Sequence, residues 1–254
     1  MENTVIFPNV SIIITSIKDE RIRLYKAGRI GINGKIKNIV LGKVSGELIA
    51  FIDHDLWAPE KPEKQVIALQ EYPDAGFSLT GGYNFKIKEE LLEFFYKQRN
   101  GVRFDNIFLS AFRSEIAIWT QALLIRRQCI ETAGPFNVTT KFADPEFIIR
   151  LAYHFKAVVL YEPLMYHRLH DKNYSVLNWI TSHLDGITVI RSFENKKMLL
   201  SSLARDVLFK STINFGENVS GIKKRDGIKS FFDAWKQNPF SIIPIKKPGK
   251  QSCI

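Results

Sequence analysis

Apolar runs rich in β-branched residues alternate with stretches of helical period over the first two thirds of the chain. Val10-Ser11-Ile12-Ile13-Ile14 predicts a buried strand, and the alternating Arg21-Ile22-Arg23-Leu24-Tyr25 predicts a second. Residues 35–44 predict a short helix, with Gly31 and Gly34 before it and Gly46 after it. Leu48-Ile49-Ala50-Phe51-Ile52 is a continuous apolar run that stops abruptly at Asp53-His54-Asp55. Residues 59–72 predict a helix: Pro59 or Pro62 suits its first turn, and Val66, Leu69 and Tyr72 share a face. Strands are expected at 75–83, 121–125 and 157–161, with an amphipathic helix at 145–154. From Val176 onward the pattern is helical, at 176–193, 195–215 and 227–235, with a Gly- and Lys-containing break at 216–226.

Strand–helix alternation predicts an α/β layered domain with a mostly parallel sheet. It covers residues 1–174, and a C-terminal helical region with a basic tail covers 175–254. The longest apolar stretches are strand-sized, short of the ~20 residues of a membrane span. The first residues carry no basic leader, so the expected location is cytoplasmic. Two cysteines, Cys129 and Cys253, exclude a disulfide scaffold and a cysteine-rich zinc domain. The net charge of +10 suits an anionic partner. The basic residues are scattered, with small clusters at 223–225 and 246–247, and form no stripe for specific nucleic-acid binding.

The chemistry concentrates where the apolar strand meets Asp53 and Asp55. Ligands of open α/β sheets sit beyond the carboxyl ends of strands. Two carboxylates there suit a hard divalent cation, Mn²⁺ or Mg²⁺, which in turn grips a diphosphate. Two acids at a strand end also suit a turn that caps the next helix.

The surrounding text separates these readings. GELIAFIDHDLWAPEKPEKQ, followed by DAGFSLTGGY, resembles the family 2 glycosyltransferases, as do Ile125-Arg126-Arg127 with Gly134-Pro135-Phe136-Asn137. Ala143-Asp144 falls where that family carries Glu-Asp, and Glu162-Pro163-Leu164 with Tyr166-His167-Arg168-Leu169-His170 falls where it closes over the donor diphosphate. The resemblance covers about residues 9–175 and implies a GT-A fold, an α/β domain with a mixed, mainly parallel sheet flanked by helices, and a nucleotide-sugar donor. It also implies an inverting transfer to a glycan, lipid-linked or protein acceptor. By position it implies Asp53 and Asp55 as metal ligands and Asp144 as general base. His167, Arg168, His170, Lys37 and Asn38 are implied around the donor diphosphate, Lys37-Asn38 standing where the family has Arg-Asn. Asp144-Pro145 alternatively reads as a helix N-cap followed by Pro at N1.

Two departures accompany the resemblance. Position 143 is Ala where the family usually has Glu. Ile12-Ile13-Ile14 is followed almost at once by Lys18-Asp19-Glu20-Arg21, so about thirty to forty residues of the first βαβ layout are expected to be missing. That leaves a sheet edge to be rearranged or paired by another copy of the chain. It also keeps open an inactive relative that serves as a binding or partner subunit. The segment 240–247, apolar and then basic, suits peripheral contact with an anionic membrane on its inner face.

Overall fold

The computed structural model describes residues 10–14, 30, 33–52, 56–85, 91–96, 99–113, 115–169, 179–220 and 236. The chain divides into two compact units, Met1–Ser182 and His183–Ile254.

One mixed sheet organises the first unit. Strand β1 (Val10–Ile14) leads through helix α1 (Asn33–Leu41) to β2 (Leu48–Ile52), which lies parallel beside it. A parallel neighbour needs a long crossover, and the stretch carrying α1 supplies it. Residues 21–25, expected as a strand, lie outside the described residues. There follow β3 (Leu56–Trp57), α2 (Lys61–Glu71), β4 (Ala75–Phe85), β5 (Leu91–Phe94) and β6 (Val102–Asp105). Next come α3 (Phe108–Phe112), a 3-10 turn (Thr120–Ala122), β7 (Leu124–Arg126), α4 (Arg127–Ala133), α5 (Ala143–His154) and β8 (Lys156–Arg168). The sheet order is β1-β2-β7-β4-β8-β3, with β5 on β4 and β6 on β8. Of the first five strands on that path, β1, β2, β4 and β8 run the same way and β7 is reversed. The sheet is therefore mixed: among the described residues β1–β2 and β4–β8, the two longest ladders, are parallel, and the five shorter pairings, β2–β7, β4–β7, β3–β8, β4–β5 and β6–β8, are antiparallel.

The β4–β8 ladder is longer than the apolar pattern suggests, running from Ala75↔Lys156 to Phe85↔Arg168. Glu162-Pro163 does not end β8, because register shifts at Thr80, Gly81 and Gly82 absorb it. The Thr80 hydroxyl donates to the Glu162 carbonyl at 3.0 Å across this irregularity. Gly82 is required there: a Cβ would stand 2.3 Å from the Met165 carbonyl oxygen. The expected strand at 121–125 is split into the 3-10 turn and the short β7. The Ala122 carbonyl is held by Gln65 Nε2 at 2.9 Å, and the Ala122 N–H bonds Trp119, which fixes the turn.

Leu48, Ala50, Val66, Leu69, Leu124, Val158 and Leu160 form the core between α2 and the sheet. On α5, Phe147, Ile148 and Leu151 are buried. Cys129 is buried too, and burial pushes its thiol up to about 11. Through the core runs a polar strut: Lys61 donates to Gln65 Oε1 at 2.7 Å, and Gln65 Nε2 donates to Ser78 Oγ at 3.1 Å and to Ala122.

Helix α6 (Trp179–Asn195) crosses the boundary between the units, and α7 (Ser201–Ser220) belongs to the second. Between them Met198 N–H bonds the Phe193 carbonyl and Lys197 N–H bonds that of Glu194, with Lys197 at φ 57°. These bonds terminate α6 and start α7 later than the periodicity suggests. Helix α7 also runs past residue 216, where a break was expected. The expected helix at 227–235 and the segment 240–247 lie outside the described residues. Among the described residues no helix is long and apolar enough to cross a membrane.

Candidate active site

Helix α5 starts at Ala143, with Phe142 at its N-cap and no side-chain cap. Asp144 is therefore inside the first turn, which corrects the N-cap reading of Asp144-Pro145. Its carboxylate turns to α1 instead. Lys37 Nζ donates to Asp144 Oδ1 and Oδ2, both at 2.7 Å, and to Thr120 Oγ1 at 2.7 Å. The Thr120 hydroxyl donates in turn to Asp144 Oδ2 at 2.8 Å. Lys37 is 3% exposed and the Asp144 side chain 20%. The Lys37 ammonium also lies 5.8 Å from the ring centre of Phe51 and 5.4 Å from that of Phe136.

Small residues permit this meeting. Gly34 lies one turn before Lys37 on α1. A Cβ on it would stand 2.6 Å from the Asn137 carbonyl oxygen and 3.4 Å from Ala143 Cβ. Gly34 and Ala143 thus let α1 and the start of α5 approach, and a larger acid at position 143 would enter this contact. The segment between is clamped from both sides. Asn38 Nδ2 donates to the Phe136 carbonyl and Asn38 Oδ1 accepts from the Phe136 N–H, both at 2.8 Å. Arg150 of α5 donates to the carbonyls of Ala133, Gly134 and Pro135. It is itself fixed by Glu146, whose two oxygens lie 2.9 Å from Nε and Nη2. Glu146, the neighbouring acid, is therefore engaged in holding Arg150.

The two residues expected on a diphosphate from α1 are thus both turned inward, Lys37 to Asp144 and Asn38 to Phe136. His167 and Arg168 lie on β8, opposite Asn84 and Phe85 of β4. The His167 ring stacks on Trp119 with centroids 5.5 Å apart, and the Arg168 guanidinium sits 5.4 Å from the Phe85 ring centre. Trp119 precedes Thr120, so one short segment touches both His167 and Asp144. Asp53, Asp55 and His170 lie outside the described residues; β2 ends at Ile52, immediately before Asp53. Among the described residues no group of three or more His, Cys, Asp or Glu is placed to hold a metal ion. Thr120 was missed by sequence reasoning. Its only sequence signal is position, just ahead of an apolar run.

Sheet order, crossover and flanking helices together define the GT-A glycosyltransferase fold. The chain is similar to Staphylococcus aureus TarS residues 1–349 in complex with UDP-GlcNAc, with a TM-score of 0.56 and 14% identity. That match covers 80% of this chain and 60% of the TarS chain. The UDP complex of the same protein matches with a TM-score of 0.52 and 13% identity, over 82% of this chain and 61% of that one. The chain thus spans about 60% of the length of these structures. No protein-family model matches the sequence, and no curated protein matches it.

Proposed function

We propose that this chain is an inverting glycosyltransferase that uses a nucleotide-sugar donor and takes the acceptor proton on Asp144. The observation that carries the reading is the Lys37–Asp144–Thr120 cluster at the start of α5 in a GT-A fold. The acceptor oxygen attacks the anomeric carbon while the bond from that carbon to the diphosphate breaks. The bonding pair leaves with the nucleoside diphosphate, and the hydroxyl proton passes to Asp144, a general-base step. His167 and Arg168, on the carboxyl-terminal part of β8, are the described candidates for the leaving diphosphate, and a guanidinium suits phosphate oxygens bidentately. His170 belongs to the same proposal.

Asp53 and Asp55, the carboxylates directly after β2, would hold a divalent cation. Hard carboxylate oxygens suit Mn²⁺ or Mg²⁺, which neutralises charge on a departing diphosphate. UDP-GlcNAc is the first donor to test, because it is bound in the TarS structure. A glycan or lipid-linked acceptor, and contact of the basic tail with an anionic membrane face, complete the reading.

Calorimetric titration with UDP, GDP and dTDP, with and without Mn²⁺, tests it, followed by consumption of the matching sugar donor. The expected result is metal-dependent binding of one nucleotide, lost in Asp55→Ala, and turnover lost in Asp144→Asn. Binding without turnover would make the chain a non-catalytic relative. No binding at millimolar nucleotide would remove the donor site altogether.

A further inference from the structure

A carboxylate offers about four lone-pair directions, two on each oxygen. Lys37 takes one on each oxygen of Asp144, and Thr120 takes the second on Oδ2. Among the described residues Oδ2 is then filled, and Oδ1 keeps one direction for a further donor. The ammonium that imposes this orientation is shut away from solvent beside the rings of Phe51 and Phe136. Asn38 uses both ends of its amide on the Phe136 backbone. Gly34 and Ala143 bring the two helices together, so α1 serves the 136–144 segment through three residues in a row of turns.

Resting on the reading of Asp144 as base, we infer that Lys37, Asn38 and Thr120 are positioning residues that aim Oδ1 of Asp144 at the acceptor hydroxyl. In this role Lys37 and Asn38 act on Asp144 and the segment that carries it, and not on the donor diphosphate. The acceptor proton goes to Oδ1, and Oδ2 of the resulting acid still accepts from Lys37 and Thr120. A base works only within hydrogen-bond reach of the proton it takes, and a displacement of about 1 Å costs on the order of 100-fold in rate.

The test measures UDP affinity with Mn²⁺, and kcat and donor KM with UDP-GlcNAc and other sugar nucleotides. Lys37→Met, Asn38→Ala, Thr120→Val and Thr120→Ser are compared with the wild type. UDP affinity and donor KM are expected to stay within about threefold in every variant. The kcat is expected to fall about 100-fold in Lys37→Met and about tenfold in Thr120→Val. Thr120→Ser, which keeps the hydroxyl, should restore nearly full rate. Thr120→Val leaves the Lys37–Asp144 pair in place, so it decides the matter even where Lys37→Met fails to fold. A folded Lys37→Met or Asn38→Ala protein that loses UDP affinity tenfold or more, an effect of about 1.4 kcal/mol, is a donor-ligand variant and overturns the inference. So does an unchanged kcat in Thr120→Val. A wild type that consumes no sugar donor instead overturns the transferase reading, and the positioning role falls with it.

Discussion

Two buried lysines face the interior of the first unit, and their surroundings differ. Lys37 on α1 meets both oxygens of a carboxylate and a hydroxyl. Lys61 on α2, 0% exposed, meets the Gln65 amide oxygen at 2.7 Å and the Trp57 ring at 3.9 Å from its centre. Among the described residues no carboxylate pairs with Lys61. Burial pushes its ammonium down to about 7. The Trp57 indole nitrogen beside it is buried, with no hydrogen-bond partner among the described residues. Burial by itself therefore separates neither lysine from an ordinary core residue. What distinguishes the Lys37 region is charge compensation that leaves one carboxylate oxygen with an unused direction.

The largest expected effect tests that compensation. Among the described residues Lys37→Met leaves Asp144 with Thr120 as its remaining donor, in a setting only one-fifth exposed. Removing one partner of such a pair should destabilise by about 3 kcal/mol. The double variant Lys37→Met/Asp144→Leu should recover most of the loss, because no unpaired charge remains. Urea unfolding of the single and double variants measures both. Equal losses would mean that packing, and not charge, governs the region.

Gly34→Ala attacks the same region through its geometry. The added methyl would lie 2.6 Å from the Asn137 carbonyl, and backbone must move to admit it. The expected cost is about 2 kcal/mol. Hydrogen exchange of residues 136–144 should quicken at the same time, as Asn38 and Lys37 are drawn off their partners. The corresponding peptides around Lys61 should exchange as in the wild type.

Lys61→Met should act in the opposite sense. The drop from the ordinary value near 10.5 to about 7 amounts to roughly 5 kcal/mol of disfavoured charge. The Trp57 cation–π contact offsets about 2 kcal/mol, and Gln65 Oε1 left without a donor costs about 1–2 kcal/mol more. A net stabilisation of about 1–2 kcal/mol at pH 7 remains. The sign with pH follows from the lowered value. Below about pH 7 the lysine is charged in both states and the penalty is complete. Between about 7 and 10.5 only the unfolded chain holds the proton, so wild-type stability rises with pH. The advantage of Lys61→Met should shrink across that interval, as unfolding curves at pH 7 and 10 would show.

Much of this was legible in the sequence where the signal is local. The strand Leu48–Ile52, the helix over α2 and the amphipathic α5 all follow from periodicity, with ends displaced by two residues at most on α2 and α5. Asp144 was also singled out from the sequence, through the resemblance. Its surroundings were hidden because they are distant along the chain: 107 residues separate Lys37 from Asp144 and 83 separate it from Thr120. A lysine on a short helix reads as a solvated face until the sheet is assembled. Thr120 was hidden for a related reason, since its turn is fixed by Gln65 from another helix and not by its own sequence. The strand expected at 157–161 is only part of β8, because the apolar run stops before Glu162-Pro163, and the register shifts at Thr80, Gly81 and Gly82 of β4 carry the ladder past it.

The smallest effect sharpens the contrast from outside. Lys64 lies three residues after Lys61 on the same helix and pairs with Glu162 of β8, but both side chains are exposed, at 42% and 39%. The Glu162 hydrogen bond holds the Lys64 ammonium above its ordinary value. Water screens such a pair, and holding two long side chains together costs rotamer freedom. Lys64→Met should therefore change stability by no more than about 0.5 kcal/mol at low salt, and by nothing measurable at about 0.5 M salt. A loss above about 1 kcal/mol that persists in high salt would show that Glu162 needs Lys64 to hold the β4–β8 irregularity. In that case exposure would not separate the three lysines, and pairing to a carboxylate alone would rank them.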